Sequence, residues 1–373
     1  MSKFFAFITA FVVFFQGLFT GIVGVFTKDP PDTFSECKNV IFMIGDGMGF
    51  NSIEKAKLEL GRDDFAIDTF PLQGESKTKS ADNIVTDSAA GGTALATGER
   101  TNNGYIGVYS YDKNAEYSHP MNLTELAISL DKAAGVITTD STSGATPSSF
   151  SAHSSDRGNE EDITTQQMKN TDLTVMWGTS SSSFSSDIAY ENGWTDVVTD
   201  KASMDALTEG SRSFGQFTAE LWHENQTNGM PTLAEMTEKA IDLLDDDEDG
   251  FFLMVEGAHI DKNNHNNNGE GMKDAFVSFD NAIQVALDYA KANGDTLVIV
   301  TADHETGGIT LKKGNYVYTS DGHTGANVPL RVYGCDNFIE DGQKINNKEV
   351  SKRVAKVMGG GSFPVRIIVG EGC

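Results

Sequence analysis

The chain has 373 residues, 39% of them hydrophobic, with a formal net charge of −26 and an isoelectric point near 4.5. That length holds one large α/β domain or two ordinary ones, and the apolar share supports a sizeable core, which excludes a disordered chain. So acidic a chain excludes the nucleic-acid backbone as a partner, because that contact needs a basic footprint.

Behind Lys3, residues 4–26 are uncharged and rich in Phe and Val. Such a run suits a signal peptide or a bilayer span, and the basic residue before it favours the cytoplasmic side. Residues 1–27 are therefore expected to be a signal peptide or an N-terminal membrane anchor that exports the rest, to a periplasmic or extracellular place. Residues 28–37, with two prolines, read as a linker, and 38–373 as one domain with a small subdomain near 162–230. Cys37, Cys335 and Cys373 are too few for a disulfide framework. Export permits one disulfide and leaves three pairings open. Asn122 with Thr124, and Asn225 with Thr227, fit the glycosylation acceptor pattern of a eukaryotic host.

Past the linker, residues 40–44, 135–139, 251–255, 296–301 and 328–333 are short, continuous and rich in β-branched side chains, and are predicted to be buried strands. Between them, 123–131, 233–244 and 272–291 show apolar spacing at three and four, the signature of helices. This alternation predicts an α/β fold, a three-layer α/β/α sandwich around a large, mostly parallel sheet. In such sheets ligands gather at the carboxyl ends of strands. Here Asp46 follows the first strand, Glu256 the third, and Asp303 and His304 the fourth.

Several of these positions suit chemistry. Asp46 stands among Gly45, Gly47 and Gly49, where backbone can approach a ligand closely, although a turn before a helix fits too. Ser88 opens a small-residue helix, which sets its hydroxyl beside unpaired N–H groups; an ordinary N-cap accounts for it equally well. No Gly-x-Ser-x-Gly elbow surrounds Ser88, so a metal is the better activator. Asp261 and His265 stand four apart on one helical face, a usual spacing for two ligands of one metal. Asp303 and His304 are adjacent, so both can face one site only if the chain leaves strand geometry there; Gly307 and Gly308 permit that. His323 is a loop histidine between Gly322 and Gly325. Arg157 has the fork that matches two phosphate oxygens, with a surface ion pair as the plainer reading. Asp245, Asp247, Asp249, Gly250 and Glu256 fit the EF-hand expression, but the strand at 251–255 occupies the place of the exiting helix, which leaves an acidic turn.

Taken in order, Asp46 with its glycines, Thr86 to Ser88, Ala145 and Thr146 with Ala152, His153 and Arg157, Glu256 with Asp261 and His265, Asp303 with His304, and Gly322 with His323 resemble the alkaline phosphatase family. The resemblance runs from about Lys38 to Asp336. It implies that Ser88 is a nucleophile that becomes phosphorylated and is then hydrolysed, releasing phosphate from a phosphate monoester. It implies two Zn2+ and one Mg2+ per chain. Asp303, His304 and Asp46 would hold the zinc beside Ser88, and Asp261, His265 and His323 the zinc beside the leaving oxygen. Asp46, Thr146 and Glu256 would hold the magnesium, and Arg157 would grip the phosphoryl group. Two metals about 4 Å apart suit both oxygens of an in-line displacement. A homodimer is also implied. The pattern departs at Gly144, where familiar members often carry Asp or His, and at Lys262, where some carry His or Trp; both leave the third metal open. The rivals are a phosphodiesterase of the same superfamily and a non-catalytic phosphate- or metal-binding protein. Ser88 together with Thr146 and Glu256 favours monoesters.

Overall fold

A computed structural model describes residues 36–111, 118–169 and 171–368. The expected signal or anchor at 1–27 lies outside these residues, as does Cys373.

The predicted apolar runs become the centre of a ten-stranded sheet. Its strands are β1 (Asn39–Gly45), β2 (Leu72–Lys77), β3 (Ala133–Ser141), β4 (Val175–Thr179), β5 (Asp196–Val198), β6 (Ser213–Gly215), β7 (Phe251–Gly257), β8 (Thr296–Thr301), β9 (Val328–Tyr333) and β10 (Lys344–Asn346). They lie in the order β10-β2-β9-β8-β1-β7-β3-β4-β6-β5. β9 is antiparallel to both neighbours, and the other pairs are parallel. The polar stretch at 162–230 supplies β4, β5 and β6 to one edge of this same sheet.

The helices that frame the site are α1 (Phe50–Leu60), α2 (Ser88–Thr97), α3 (Leu123–Ser129), α4 (Ala145–Ser149), α5 (Leu233–Leu244), α6 (His259–His265), α7 (Gly269–Asn293) and α8 (Asn347–Val357). Side chains alternate along a strand, so a central strand must bury both of its faces. Ile41, Met43, Leu253, Val255 and Val298 pack against Ile53 of α1, Met236 of α5 and Phe276 of α7. Their neighbours Val40, Phe42, Phe252, Met254 and Ile299 pack against Leu95 of α2, Leu123 of α3 and Val350 of α8. The result is the predicted three-layer sandwich.

Boundaries moved for local reasons. The helix expected to reach 131 stops at Ser129, because Asp131 adopts a positive φ of 58°. The helix expected over 272–291 starts at Gly269, where Asn268 caps it by accepting from the Gly271 N–H. The acidic stretch 245–250 is a turn into β7, as expected, with Gly250 at φ 90°. Asn122 is buried as the N-cap of α3, which leaves its acceptor pattern no access to a glycan, whereas Asn225 is exposed. Cys37 and Cys335 are both buried; burial first, then Cys335, pushes the Cys37 thiol up to about 12.

Register then sets the site. Ile44 of β1 pairs with Glu256 of β7 and with Thr301 of β8, and Glu256 also pairs with Thr138 of β3. The carboxyl ends of four central strands therefore stop together, and the polar residues that follow them converge.

Candidate active site

Asp46 leaves β1 on a turn held by its N–H, which donates to the Gly257 carbonyl at 3.2 Å. The next residue, Gly47, has φ +67°, and a Cβ there would lie 2.8 Å from the Asp261 Cα. Only glycine satisfies both limits, and its N–H donates to Asp303 Oδ1 at 3.2 Å. Gly49 is the N-cap of α1, so the turn-before-helix reading and the site reading hold together. Burial, followed by the charges of Asp303, Asp261 and Glu256, pushes the Asp46 carboxyl well above the usual range.

Ser88 is the first residue of α2; the cap itself is Asp87, whose Oδ1 accepts from the Ala90 N–H at 3.0 Å. The ordinary N-cap reading of Ser88 is thereby displaced by one residue. Ser88 is 5% exposed, and its Oγ lies 3.1 Å from His304 Nε2. The Thr306 hydroxyl donates to Asp261 and its oxygen sits 3.2 Å from His304 Nδ1. Nδ1 therefore carries the hydrogen, and Nε2 presents a lone pair. That lone pair faces Asp303 Oδ2 at 3.2 Å and Asp46 Oδ1 at 3.4 Å. Neither carboxylate oxygen has a hydrogen-bond partner among the described residues. Three buried electron donors aimed at one point fit a cation of the zinc type, which takes nitrogen and oxygen ligands. Adjacent Asp303 and His304 both reach it because β8 ends at Thr301, as the sequence required.

A second set lies beside the first. Asp261 and His265 sit on α6, one turn apart, with His265 Nε2 3.3 Å from Asp261 Oδ2 and 3.0 Å from His323 Nε2. His265 Nδ1 donates to the Asp321 carbonyl and His323 Nδ1 to the Thr86 carbonyl, so both rings turn Nε2 inward. A metal-binding imidazole is commonly anchored in this way. Burial raises the Asp261 carboxyl, but its bonds to His265 and Thr306 and the charge of His304 bring it below the ordinary range. The Asp261 hydrogen bond lifts His265 to about 9.

The third set meets at the end of β7. Glu256 is buried, accepts from the Thr138 hydroxyl, and has the Thr146 side chain of α4 against it. Thr146 Oγ1 is buried and makes no well-formed hydrogen bond among the described residues. Burial first, then Asp140, pushes Glu256 up to about 8, against the pull of Thr138. Oxygen donors alone suit a hard cation.

Sequence reasoning missed Thr138, Thr306 and Asp140. Asp140, on β3, forms an ion pair with Lys262 of α6. A Cβ at Gly144 would stand 3.2 Å from the Asp140 carboxylate, so an acid from four residues earlier lies close to position 144. Arg157 donates through Nη1 to Asp87 Oδ2 at 2.9 Å, next to Ser88 in the chain, while its side chain stays 41% exposed. It is an ion pair and also a cation at the mouth of the site.

A family model described as Alkaline phosphatase matches residues 37–193 and 192–354. The alkaline phosphatase of Escherichia coli (strain K12) is 32% identical over 388 aligned positions, covering 80% of this chain and 81% of that protein. The structure of alkaline phosphatase from the Antarctic bacterium TAB5 superimposes with a TM-score of 0.76 at 31% identity, covering 88% of this chain and 100% of that one. A mutant of the TAB5 enzyme with a histidine changed to aspartate has Mg bound in what is called its M3 site, with a TM-score of 0.76 at 31% identity and the same coverage.

Proposed function

Since this chain belongs to the alkaline phosphatase family and is a phosphoric monoester hydrolase, we propose that Ser88 is its nucleophile, with the three polar sets around it holding metal. The observation that carries this is the convergence of Ser88 Oγ, Asp46 and Asp303 on His304 Nε2, at 3.1 to 3.4 Å. Asp46, Asp303 and His304 form one ligand set and Asp261, His265 and His323 a second; their nitrogen and oxygen donors suit two Zn2+. Asp46, Thr146 and Glu256 form the third, whose oxygens suit Mg2+, and the TAB5 mutant with Mg at M3 supports that preference.

When bound, the metals supply positive charge to the attacking and leaving oxygens and lower the pKa of a hydroxyl held against them. The protein's own groups do the rest. α2 holds Ser88 Oγ at the carboxyl edge of the sheet, where backbone N–H groups at the helix start face the incoming phosphate. Asp87 takes up one Arg157 nitrogen, which leaves the rest of the fork for two phosphoryl oxygens. Ser88 Oγ attacks phosphorus, the alcohol leaves, and hydrolysis of the phosphoserine frees phosphate and restores the hydroxyl. Thr306 fixes His304 by its Nδ1 throughout.

Ser88→Ala is expected to lower hydrolysis of a nitrophenyl monoester by at least about a thousandfold in the metal-loaded enzyme. Wild type no faster than the mutant would overturn the assignment, and preference for the corresponding diester would favour a diesterase. The uncharged run at 4–26 behind Lys3 supports an exported chain, cleaved or tethered there, and the family supports a homodimer.

A further inference from the structure

We propose that His119, Glu125 and His153 form an additional divalent-metal site of the zinc type, separate from the ligand sets around Ser88. The three residues come from different elements. His119 lies on the short strand Ser118–Pro120, Glu125 in the first turn of α3, and His153 in the segment that follows α4. Their ligand atoms all lie within 4.8 Å of one another.

His153 and Glu125 are each anchored by one atom and present the other. His153 Nδ1 lies 2.6 Å from the Gly107 carbonyl, which can only accept, so Nδ1 carries the hydrogen. Glu125 Oε2 accepts from the Asn122 N–H at 2.8 Å, completing the capping box of α3. His119 Nδ1 faces the Pro120 carbonyl at 3.4 Å. What remains is His153 Nε2 and Glu125 Oε1, with a ring nitrogen of His119 within 4.8 Å of the ligand atoms of both. His153 Nε2 meets Glu125 Oε1 at 3.0 Å, one lone pair against another. Such a contact needs either an added proton or a cation between the two atoms.

The same arrangement recurs in the ligand sets around Ser88. His265 and His323 also hand Nδ1 to a backbone carbonyl and turn Nε2 toward Asp261. Two nitrogens and one carboxylate oxygen are a zinc-type donor set with a fourth position left for solvent or an exogenous ligand. A cavity of about 510 Å³, lined by all three residues with Gln166, Leu173 and Ile367, provides the entry path and the open position.

Such an ion would tie His119, and through its strand Ile367, to the segment that leads to Arg157. The metal-free full chain is titrated with Zn2+, and bound zinc is counted for wild type, His119→Ala and His119→Gln. One zinc equivalent per chain is expected to disappear in both variants, with monoester hydrolysis in saturating zinc and magnesium kept within about twofold of wild type. An unchanged zinc count would overturn the proposal and leave a protonated His153–Glu125 ion pair. If the variants fold poorly, a zinc-edge anomalous map of wild-type crystals decides: a peak between the three side chains is expected, and its absence overturns the site.

Discussion

Asp140 and Lys262 illustrate what a single residue can do at a metal site without binding the metal. The Lys262 side chain is 44% exposed and that of Asp140 27%, so solvent screens the pair and its own contribution to stability is small. Its influence falls on Glu256, whose carboxyl is pushed up by burial and then by the Asp140 charge. With Asp140→Asn, Lys262 keeps its charge and loses its partner, so net positive charge grows beside the third ligand set. The Mg2+ concentration for half-maximal activation is expected to rise about three- to tenfold, with the zinc requirement unchanged. An unchanged Mg2+ demand in the mutant would show that Asp140 does not act there, and a lower one would reverse the sign of its effect. Asp46, Glu256, Asp303 and His304 were legible in the sequence because they are ligand-type residues standing just past apolar strands, and Asp261 because it stands one helical turn before His265. Asp140 was not, because it ends its own strand among threonines and serines, and only the fold brings it to Lys262.

At the scale of elements, the placement of α2 governs the chemistry. Gly91 packs so closely that a Cβ would stand 3.0 Å from the Asp303 carbonyl oxygen and 3.1 Å from its Cβ. Gly91→Ala must therefore move α2 or the Asp303 segment by a few tenths of an ångström, which shifts Ser88 against His304. Alanine favours the helix by about 1 kcal/mol, which offsets part of the strain. The expected outcome is a kcat reduced by about tenfold or more while Tm moves little, since small misplacements of reacting groups cost rate before they cost fold. A mutant with full kcat would mean that α2 tolerates displacement. The five central strands were readable because strands buried on both faces are continuous apolar runs. β5 and β6 are three-residue strands, and β2 is polar along an outer part of the sheet, so neither length nor pattern announced them. Gly144 and Lys262 likewise stood out as departures, while the residue that lies beside both, Asp140, came from β3.

For the whole molecule, the decisive quantity is negative charge gathered at one edge of the sheet. Asp46, Glu256, Asp261 and Asp303 are all buried there, in a chain with a formal charge of −26. Without cations these carboxylates repel one another in a poorly solvated place, as the upward shifts of Asp46 and Glu256 reflect. Bound metal removes that repulsion and binds only the folded chain, so it stabilises the fold by about 2.7 kcal/mol per site at a hundredfold excess over Kd. At about 2–4 °C per kcal/mol for a domain of this size, a chelator is expected to lower Tm by at least about 5–10 °C and to abolish monoester hydrolysis. Zinc with magnesium is expected to restore both, whereas added NaCl is expected to replace them poorly, because salt screens buried charges far less than exposed ones. Thermal scans with and without chelator, read beside the activity of the same samples, check each part. Activity that survives thorough chelation would contradict the ligand sets around Ser88, while lost activity with an unmoved Tm would confine the metals to chemistry and deny them a part in holding the four strand ends together.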